Sequence, residues 1–434
     1  MNLLVTNTRN TQAYIIIRAL RPYAQKIVVT MYGKNRLVAR LSHVANSRMV
    51  DRRYRVPSCV DDWRAGRIQK ENTEREEAYI RAVERICESE RIDILFPSWD
   101  PKVYVFSKNK ERFAKIGVLI PVPDYETVIT PLDKYRTIRA AEEVGFPCPR
   151  THLPESPDDL RKIAEDLGFP LIIKPRFTSG GRGIEIVKNF AELSQKISRV
   201  TEKQQMPMLQ EYIPGQTMQS ISLLMDKKGE LKVASGTKER RNFFRIPQNF
   251  STASETIDPY PYALQAERLV QKLGWWGCVN VQMKLDARDG IAKLMEINPR
   301  LGSRRWSRTE SGINEALMCV KITRGEEVTP VESLPPGLML IHPIEDFAGL
   351  VFKLLDLLIY KFRIGLLGRA PLDSSNPPIA LKELFHSYKE TYLSGKNRLS
   401  NPYFKHFFHD PVVSILWWSQ FFLTATKAAR RLGR

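Results

Sequence analysis

Runs of apolar residues, broken at regular intervals by charged and glycine-containing stretches, predict an alternation of strands and helices along most of this chain. Leu3-Leu-Val-Thr6 is a short apolar run, Thr11 to Leu20 has helical spacing, and Lys26-Ile-Val-Val-Thr30 is a second apolar run, which together predict a βαβ beginning. Glu74 to Ser89 predicts a charged amphipathic helix and Ile92-Asp-Ile-Leu-Phe-Pro97 a buried strand. Ser98-Trp-Asp100 then leaves the sheet, either as a ligand-facing loop or as a plain turn. Asp133 to Gly145 reads as a helix with an acidic start and a glycine stop. Ser156-Pro-Asp-Asp159 supplies an N-cap and a proline at the first position of another helix, which ends near Gly168. Phe169 to Val187 reads as a strand, a glycine-rich loop and a returning strand, Met208 to Gly215 as a strand that breaks at Pro-Gly, and Met218 to Asp226 as its resumption. A final pair, Gly277–Leu285 and Leu294–Asn298, is joined through Ala287-Arg-Asp-Gly-Ile291.

The last strand runs Leu294-Met-Glu-Ile-Asn-Pro-Arg300. In extended backbone Glu296, Asn298 and Arg300 share a face, Met295 and Ile297 point into packing, and Pro299 stops further pairing. With Gly290 left-handed in the hairpin, Ala287 faces Ile291 and Gln282 falls opposite Glu296. A carboxylate and amides are hard oxygen donors of the kind magnesium takes, and a guanidinium fork suits a phosphoryl group. The plainer alternative is a solvated glutamate beside an Asn-Pro turn.

Three further stretches carry chemistry. Between its two strands, Thr178-Ser-Gly-Gly-Arg-Gly183 can turn backbone N–H groups toward phosphate oxygens, with Lys174 adding a point charge; a flexible turn is the alternative. No Gly-Lys-Ser/Thr follows, so this is not a Walker loop. Met208-Leu-Gln-Glu-Tyr-Ile-Pro-Gly215 is a strand that breaks at Pro-Gly, either exposing backbone groups to an adenine edge or serving as a linker. Thr237-Lys-Glu-Arg-Arg-Asn-Phe-Phe-Arg245 reads as a phosphate or substrate lid, a nucleic-acid surface or a solvated loop.

Composition narrows the partners without choosing among them. The chain has 434 residues, room for two or three domains, and a formal charge of +19, which implies affinity for something anionic. Five dispersed cysteines without a Cys-x-x-Cys pair argue against a disulfide framework or zinc knuckle and fit a reducing cytoplasm. The N-terminus lacks a basic region followed by a long apolar run, and no stretch reaches the roughly 18 apolar residues of a spanning helix.

The succession Asp133-Lys134, Lys174 with Ser179-Gly-Gly-Arg-Gly183, Gln210-Glu-Tyr-Ile213, Asn280-Val-Gln282 and Glu296-Ile-Asn-Pro-Arg300 resembles the ATP-grasp superfamily, particularly the branch similar to the carbamoyl-phosphate synthetase large chain and biotin carboxylase. The match covers roughly residues 1 to 325. It implies an α/β fold: a pre-ATP-grasp α/β domain over 1–125, an ATP-grasp domain of two α+β subdomains over 126–325, and a mainly helical C-terminal extension over 326–434. Carried over by position, Lys134 and Lys174 would hold ATP phosphates and Ser179, Gly180, Gly181 and Gly183 would cover them. Glu211, Tyr212 and Ile213 would form the adenine hinge. Gln282, Glu296 and Asn298 would bind magnesium, or manganese in its place. Arg300, joined by Lys238 and Arg304 as candidate catalytic residues, would steady a developing acyl phosphate. The implied reaction is a ligase reaction, in which ATP phosphorylates a carboxylate and an amine or similar nucleophile displaces the phosphate. The alternative is a non-catalytic ATP-binding protein whose basic surface engages nucleic acid or an anionic membrane.

Two departures stand out. Where the family often has a glutamate for the ribose hydroxyls, this chain reads Gly215-Gln-Thr-Met-Gln219, and a glycine-rich segment common after the basic run is replaced by Arg245-Ile-Pro-Gln-Asn-Phe250. Gly302-Ser-Arg-Arg-Trp-Ser-Arg308 adds three arginines, which suggest an anionic substrate or phosphate contacts. Beyond Gly325, Leu350 to Arg363 and Val412 to Leu423 mix bulky apolar residues with basic ones. They read either as helices in contact with the inner face of a membrane or as a helical cap or dimer interface.

Overall fold

The computed structural model describes the chain except residues 33–41, 61–62, 64–65, 67, 157, 179, 202–204, 216, 244–250, 261, 366–379, 394–396 and 433–434. Its fold is mixed α/β, with two compact units: Met1–Gly236 together with Pro259–Ser333, and Thr237–Asp258 together with Leu334–Arg434.

The first unit opens with β1 (Asn2–Val5), β2 (Lys26–Met31), β3 (Arg52–Arg55) and β4 (Ile94–Phe96), in the order β3-β2-β1-β4. All three pairings are parallel, and β1 and β4 are buried along their apolar stretches, as continuous apolar runs require. The helix Thr11–Leu20 begins where the Asn10 side chain accepts from the Ala13 N–H. The helix Glu74–Glu90 carries a full capping box of Thr73 and Glu76. After β4 the chain turns at once into the helix Asp100–Lys108, so Asp100 is a buried first-turn residue rather than part of an open loop.

A second sheet takes β5 (Thr151–His152), β6 (Leu171–Lys174), β7 (Glu185–Val187) and β8 (Met208–Glu211) in the order β5-β8-β6-β7, all antiparallel. Leu160, Ile163 and Leu193 from the helices Asp159–Leu167 and Phe190–Thr201 pack on Leu171, Ile173 and Leu209 of this sheet. The first of those helices starts later than its sequence predicts. The Asp159 carboxylate, not the Ser156 hydroxyl, gathers the entering backbone, accepting from the N–H groups of Glu155 and Ser156 at 3.0 and 2.9 Å; Pro157 lies outside the described residues.

The chain continues through β9 (Met218–Met225), β10 (Leu231–Asn242), β11 (Ser251–Ile257), β12 (Gly277–Leu285) and β13 (Ala292–Asn298). In the first unit these run in the order β13-β12-β9-β10, and the chain leaves that unit within β10, after Gly236. The β12–β13 hairpin does set Gln282 opposite Glu296, but by another route than the expected one. Pairing starts at Leu285 with Ala292 rather than Ala287 with Ile291, and a bulge between Gln282 and Met283 recovers the missing step. The extra residue is Met295, which is half-buried instead of packed inward, while Leu294 takes the core position.

The second unit holds the end of β10, β11, β14 (Met339–Ile341) and β15 (Arg398–Ser400), with β11 antiparallel and β15 parallel to β14. Arg241 is buried against Asp346 at 2.6 Å and under the Tyr388 ring, and Arg240 pairs with Glu255. These two arginines of the basic run are therefore structural, not a lid; Arg245 and its neighbours fall outside the described residues. On the helix Pro343–Gly365, Phe347, Val351, Leu355 and Leu358 are exposed. Among the described residues no helix is long and apolar enough to cross a membrane.

Candidate active site

The side chain of Asp133 caps the helix Lys134–Glu143 by accepting from Tyr135 N–H, and it also binds the Arg176 guanidinium. One buried carboxylate thus fixes the first helical residue beside the strand that carries Lys174. Lys134 donates to the Thr178 carbonyl at the mouth of the glycine loop, and its ammonium lies 3.7 Å from Glu296.

The loop follows directly. Gly180, Gly181 and Gly183 have φ of 67°, 68° and 74°, a left-handed region costly for side-chain-bearing residues, and a Cβ on Gly183 would come within 2.9 Å of Pro175. Such a run of positive φ turns successive N–H groups toward one concavity. Ser179 lies outside the described residues.

Lys174 is fully buried at the end of β6. It donates to the Met295 carbonyl at 2.9 Å and to the Gln210 amide oxygen at 3.4 Å. The Met295 carbonyl faces it because Met295 is the bulged residue of β13. Burial, with repulsion from Lys134 added and Glu296 opposing, pulls the Lys174 ammonium down to about 8.

From Glu296 a polar chain runs outward. Asn298 donates to the Glu296 carboxylate at 3.4 Å and accepts from Arg300 at 2.8 Å, and the Arg300 fork closes on Asp100 at 2.6 and 3.2 Å. The Asp100 clamp joins residues two hundred positions apart, which no local pattern reveals; only its place after a parallel strand pointed to it. Among the described residues no cluster of three His, Cys, Asp or Glu side chains could hold a metal alone. Gln282, Glu296 and Asn298 offer one carboxylate and two amides. This donor set fits a magnesium ion whose remaining ligands are phosphate oxygens and water.

At the other end of β8, the Glu211 carboxylate is occupied, taking the Arg288 guanidinium at 2.7 Å and the Arg150 N–H at 3.2 Å. Burial works against ionisation, but these contacts hold its carboxyl below the usual range. A base at this hinge would meet the backbone of Tyr212 and Ile213 rather than that side chain. Pro214-Gly215 then packs tightly on the end of β12, where a Cβ on Gly215 would meet the Leu285 carbonyl at 2.7 Å.

Arg305 and Arg308 are not substrate arginines. Both are buried against Glu315 at 2.6 and 2.8 Å, and Arg305 also donates to the Leu223 and Val279 carbonyls. Arg304 stays half-exposed beside them. Lys238 belongs to the second unit.

Residues 133–330 match the family described as carbamoyl-phosphate synthase L chain, ATP binding domain. Those residues belong to the ATP-grasp superfamily. The chain is 27% identical over 266 residues to the carbamoyl phosphate synthase large chain of Deinococcus radiodurans, covering 58% of this chain and 25% of that one. It is 23% identical over 272 residues to the N-terminal section of the Methanopyrus kandleri large chain, covering 59% and 48%. The chain therefore spans about a quarter to a half of the length of these relatives. Two solved structures share the fold. The biotin carboxylase domain of Hydrogenobacter thermophilus 2-oxoglutarate carboxylase, complexed with MgADP and bicarbonate, superposes with a TM-score of 0.60 at 16% identity, over 76% of this chain and 71% of that one. N5-carboxyaminoimidazole synthetase of Staphylococcus aureus, complexed with ADP, gives 0.56 at 13% identity over 77% and 79%.

Proposed function

We propose that this protein is a magnesium-dependent ATP ligase that phosphorylates a carboxylate and passes the acyl group to an amine or similar nucleophile. The observation that carries this reading is the run of contacts, within one unit, that links Lys134, Glu296, Asn298 and Arg300, with Lys174 on the adjoining Met295 carbonyl and Lys134 also at the Thr178 carbonyl that opens a loop of left-handed glycines. A protein that only bound nucleotide would have no use for an arginine aligned by Asp100 beside the metal-type donors.

The roles follow from charge and reach. Lys134 and Lys174 hold phosphate oxygens, and the N–H groups of Gly180 to Gly183 close over them. The Tyr212–Ile213 backbone takes the base. Gln282, Glu296 and Asn298 would hold magnesium, which would supply neutralising charge for the phosphates when bound. Arg300 stands where the transferring phosphoryl group needs a fixed cation, so alignment and charge neutralisation supply the catalysis and no nucleophilic side chain is required. Arg304 and Lys238 remain proposed contributors toward an anionic substrate. The reading keeps the division at residues 125 and 325, a reducing cytoplasm as the setting, and contact of the C-terminal region with an anionic membrane surface. The exposed stripe Phe347, Val351, Leu355 and Leu358 supports that last part.

ADP release from MgATP across a pool of amino acids, sugar acids and amines tests the reading. Turnover should require one acid and one nucleophile together and should vanish in Glu296→Ala. ATP binding without turnover for any pair would overturn the ligase assignment.

A further inference from the structure

β12 carries three polar side chains on one face, Asn280, Gln282 and Lys284, and Asn280 is taken up by Ser222. Gln282 sits opposite Glu296 on one side and Ser220 on the other; two residues along, on the same face, Lys284 sits opposite Lys293 and Met218. The two lysines of the Lys284–Lys293 pair differ. Lys293 is held by Asp286 at 2.6 Å, whereas Lys284 makes no hydrogen bond or ion pair among the described residues, although it is half-buried. Its described neighbours are the Tyr212 ring of the hinge, 5.1 Å from the ammonium to the ring centroid, and the charge of Asp286, which is already engaged by Arg288 and Lys293. A half-buried ammonium without an acceptor is costly unless something else supplies one.

What it faces follows from the connectivity of a nucleotide, on the reading proposed above. The base lies at the Tyr212–Ile213 backbone, and the phosphates lie at Lys174 and the Glu296 end of the hairpin. The sugar joins the two and must occupy the space between. Lys284 is displaced from Gln282 by one strand repeat, about 7 Å, toward the hinge, which is the step from the phosphate end to the sugar. An ammonium donates three hydrogen bonds and accepts none, so it suits hydroxyl oxygens and is repelled by the exocyclic amino group of adenine. Its cross-strand neighbour Met218 offers nothing polar and Lys293 is held by Asp286, so among these described neighbours Lys284 is the cation left to donate.

We propose that Lys284 is the sugar-recognition residue of this nucleotide site, donating to the ribose hydroxyl oxygens. The site thereby distinguishes ribonucleotides from deoxyribonucleotides by a cation on β12.

The test compares the full-length wild type with Lys284→Met, titrated calorimetrically with ADP, 2′-deoxy-ADP and 3′-deoxy-ADP in the presence of magnesium. Wild type should bind at least one deoxynucleotide on the order of ten-fold more weakly than ADP, the weight of one hydrogen bond to a charged group. Lys284→Met should weaken ADP by a similar factor and shrink the discrimination to under about two-fold, while Lys284→Arg should keep most of it. Because each ratio is taken within one preparation, a fraction of unfolded variant cancels. Equal binding of all three nucleotides by wild type, or undiminished discrimination in Lys284→Met, would overturn this assignment and leave the nucleotide site standing. Failure of wild type to bind any of them would overturn both.

Discussion

Replacing Lys174 with methionine separates what this residue costs the fold from what it gives the ligand. The ammonium is fully buried and brought from an ordinary 10.5 down to about 8, chiefly by burial. A tenfold loss of proton affinity corresponds to about 1.4 kcal/mol, so at neutral pH the charged lysine costs the nucleotide-free fold about 3 kcal/mol. Methionine removes that cost and keeps the volume, but it abandons the Met295 carbonyl and the Gln210 amide oxygen, at about 1 kcal/mol each. Lys174→Met should therefore be about 1 kcal/mol more stable than wild type at pH 7. The sign with pH is set by the lowered value. Below about 8 the lysine is protonated in both the folded and unfolded states, and the penalty is present in full. Between about 8 and 10.5 the unfolded chain holds the proton that the folded chain has lost, so wild-type stability rises with pH. The variant lacks this rise, and wild type should overtake it near pH 9 to 10. Urea midpoints for both proteins at pH 7, 8, 9 and 10, with MgADP titrations alongside, read the effect. Nucleotide affinity of the variant should fall more than about a hundred-fold, two charge-assisted contacts being lost. Parallel stability curves for the two proteins over that pH range, or a variant that still binds MgADP as wild type does, would refute the reasoning.

Other substitutions probe neighbouring contacts. Asp100→Asn frees the Arg300 fork. It should lower the maximal turnover rate on the order of a hundred-fold while changing MgADP affinity by less than about three-fold, which steady-state kinetics beside calorimetry would resolve. Glu315→Gln leaves Arg305 and Arg308 buried without a counter-charge and should destabilise the protein by about 3 kcal/mol in urea unfolding. Gly215→Ala sets a Cβ against the Leu285 carbonyl at a φ of 106°, and should lower stability by roughly 1–3 kcal/mol in the same assay.

The strands were legible because their burial is local in cause. β12 runs from Gly277 to Leu285 as its apolar alternation indicates, and Gln282 faces Glu296 as counting back from Gly290 suggests. The bulge that makes the count succeed was not legible. Met295 is as apolar as Leu294, and the contact that its bulged carbonyl makes, with the Lys174 ammonium, comes from a strand 121 positions away. Charged residues were the harder class. Arg305 and Arg308 look in sequence like anion binders. Their burial depends on Glu315, and an arginine with a buried carboxylate partner has the same letter as one with a phosphate partner. Asp100 is the reverse case: a turn-like aspartate in sequence, a guanidinium clamp in the fold.

The crossing after Gly236 and the return at Pro259 mean that the second unit is assembled from two separate pieces of chain. A stop codon placed after Ser333 would thus not deliver the first unit alone. It would keep Thr237–Asp258 and delete β14, the partner that β11 pairs through Ala253, Ser254 and Glu255. A two-strand stub with an unmatched edge would remain, the kind of edge that recruits other chains into aggregates. A soluble minimal nucleotide-binding fragment calls instead for excising both pieces, with a short turn bridging Gly236 to Pro259. For the same reason, random C-terminal nonsense mutations in this gene should act by aggregation more than by loss of whatever the tail itself does.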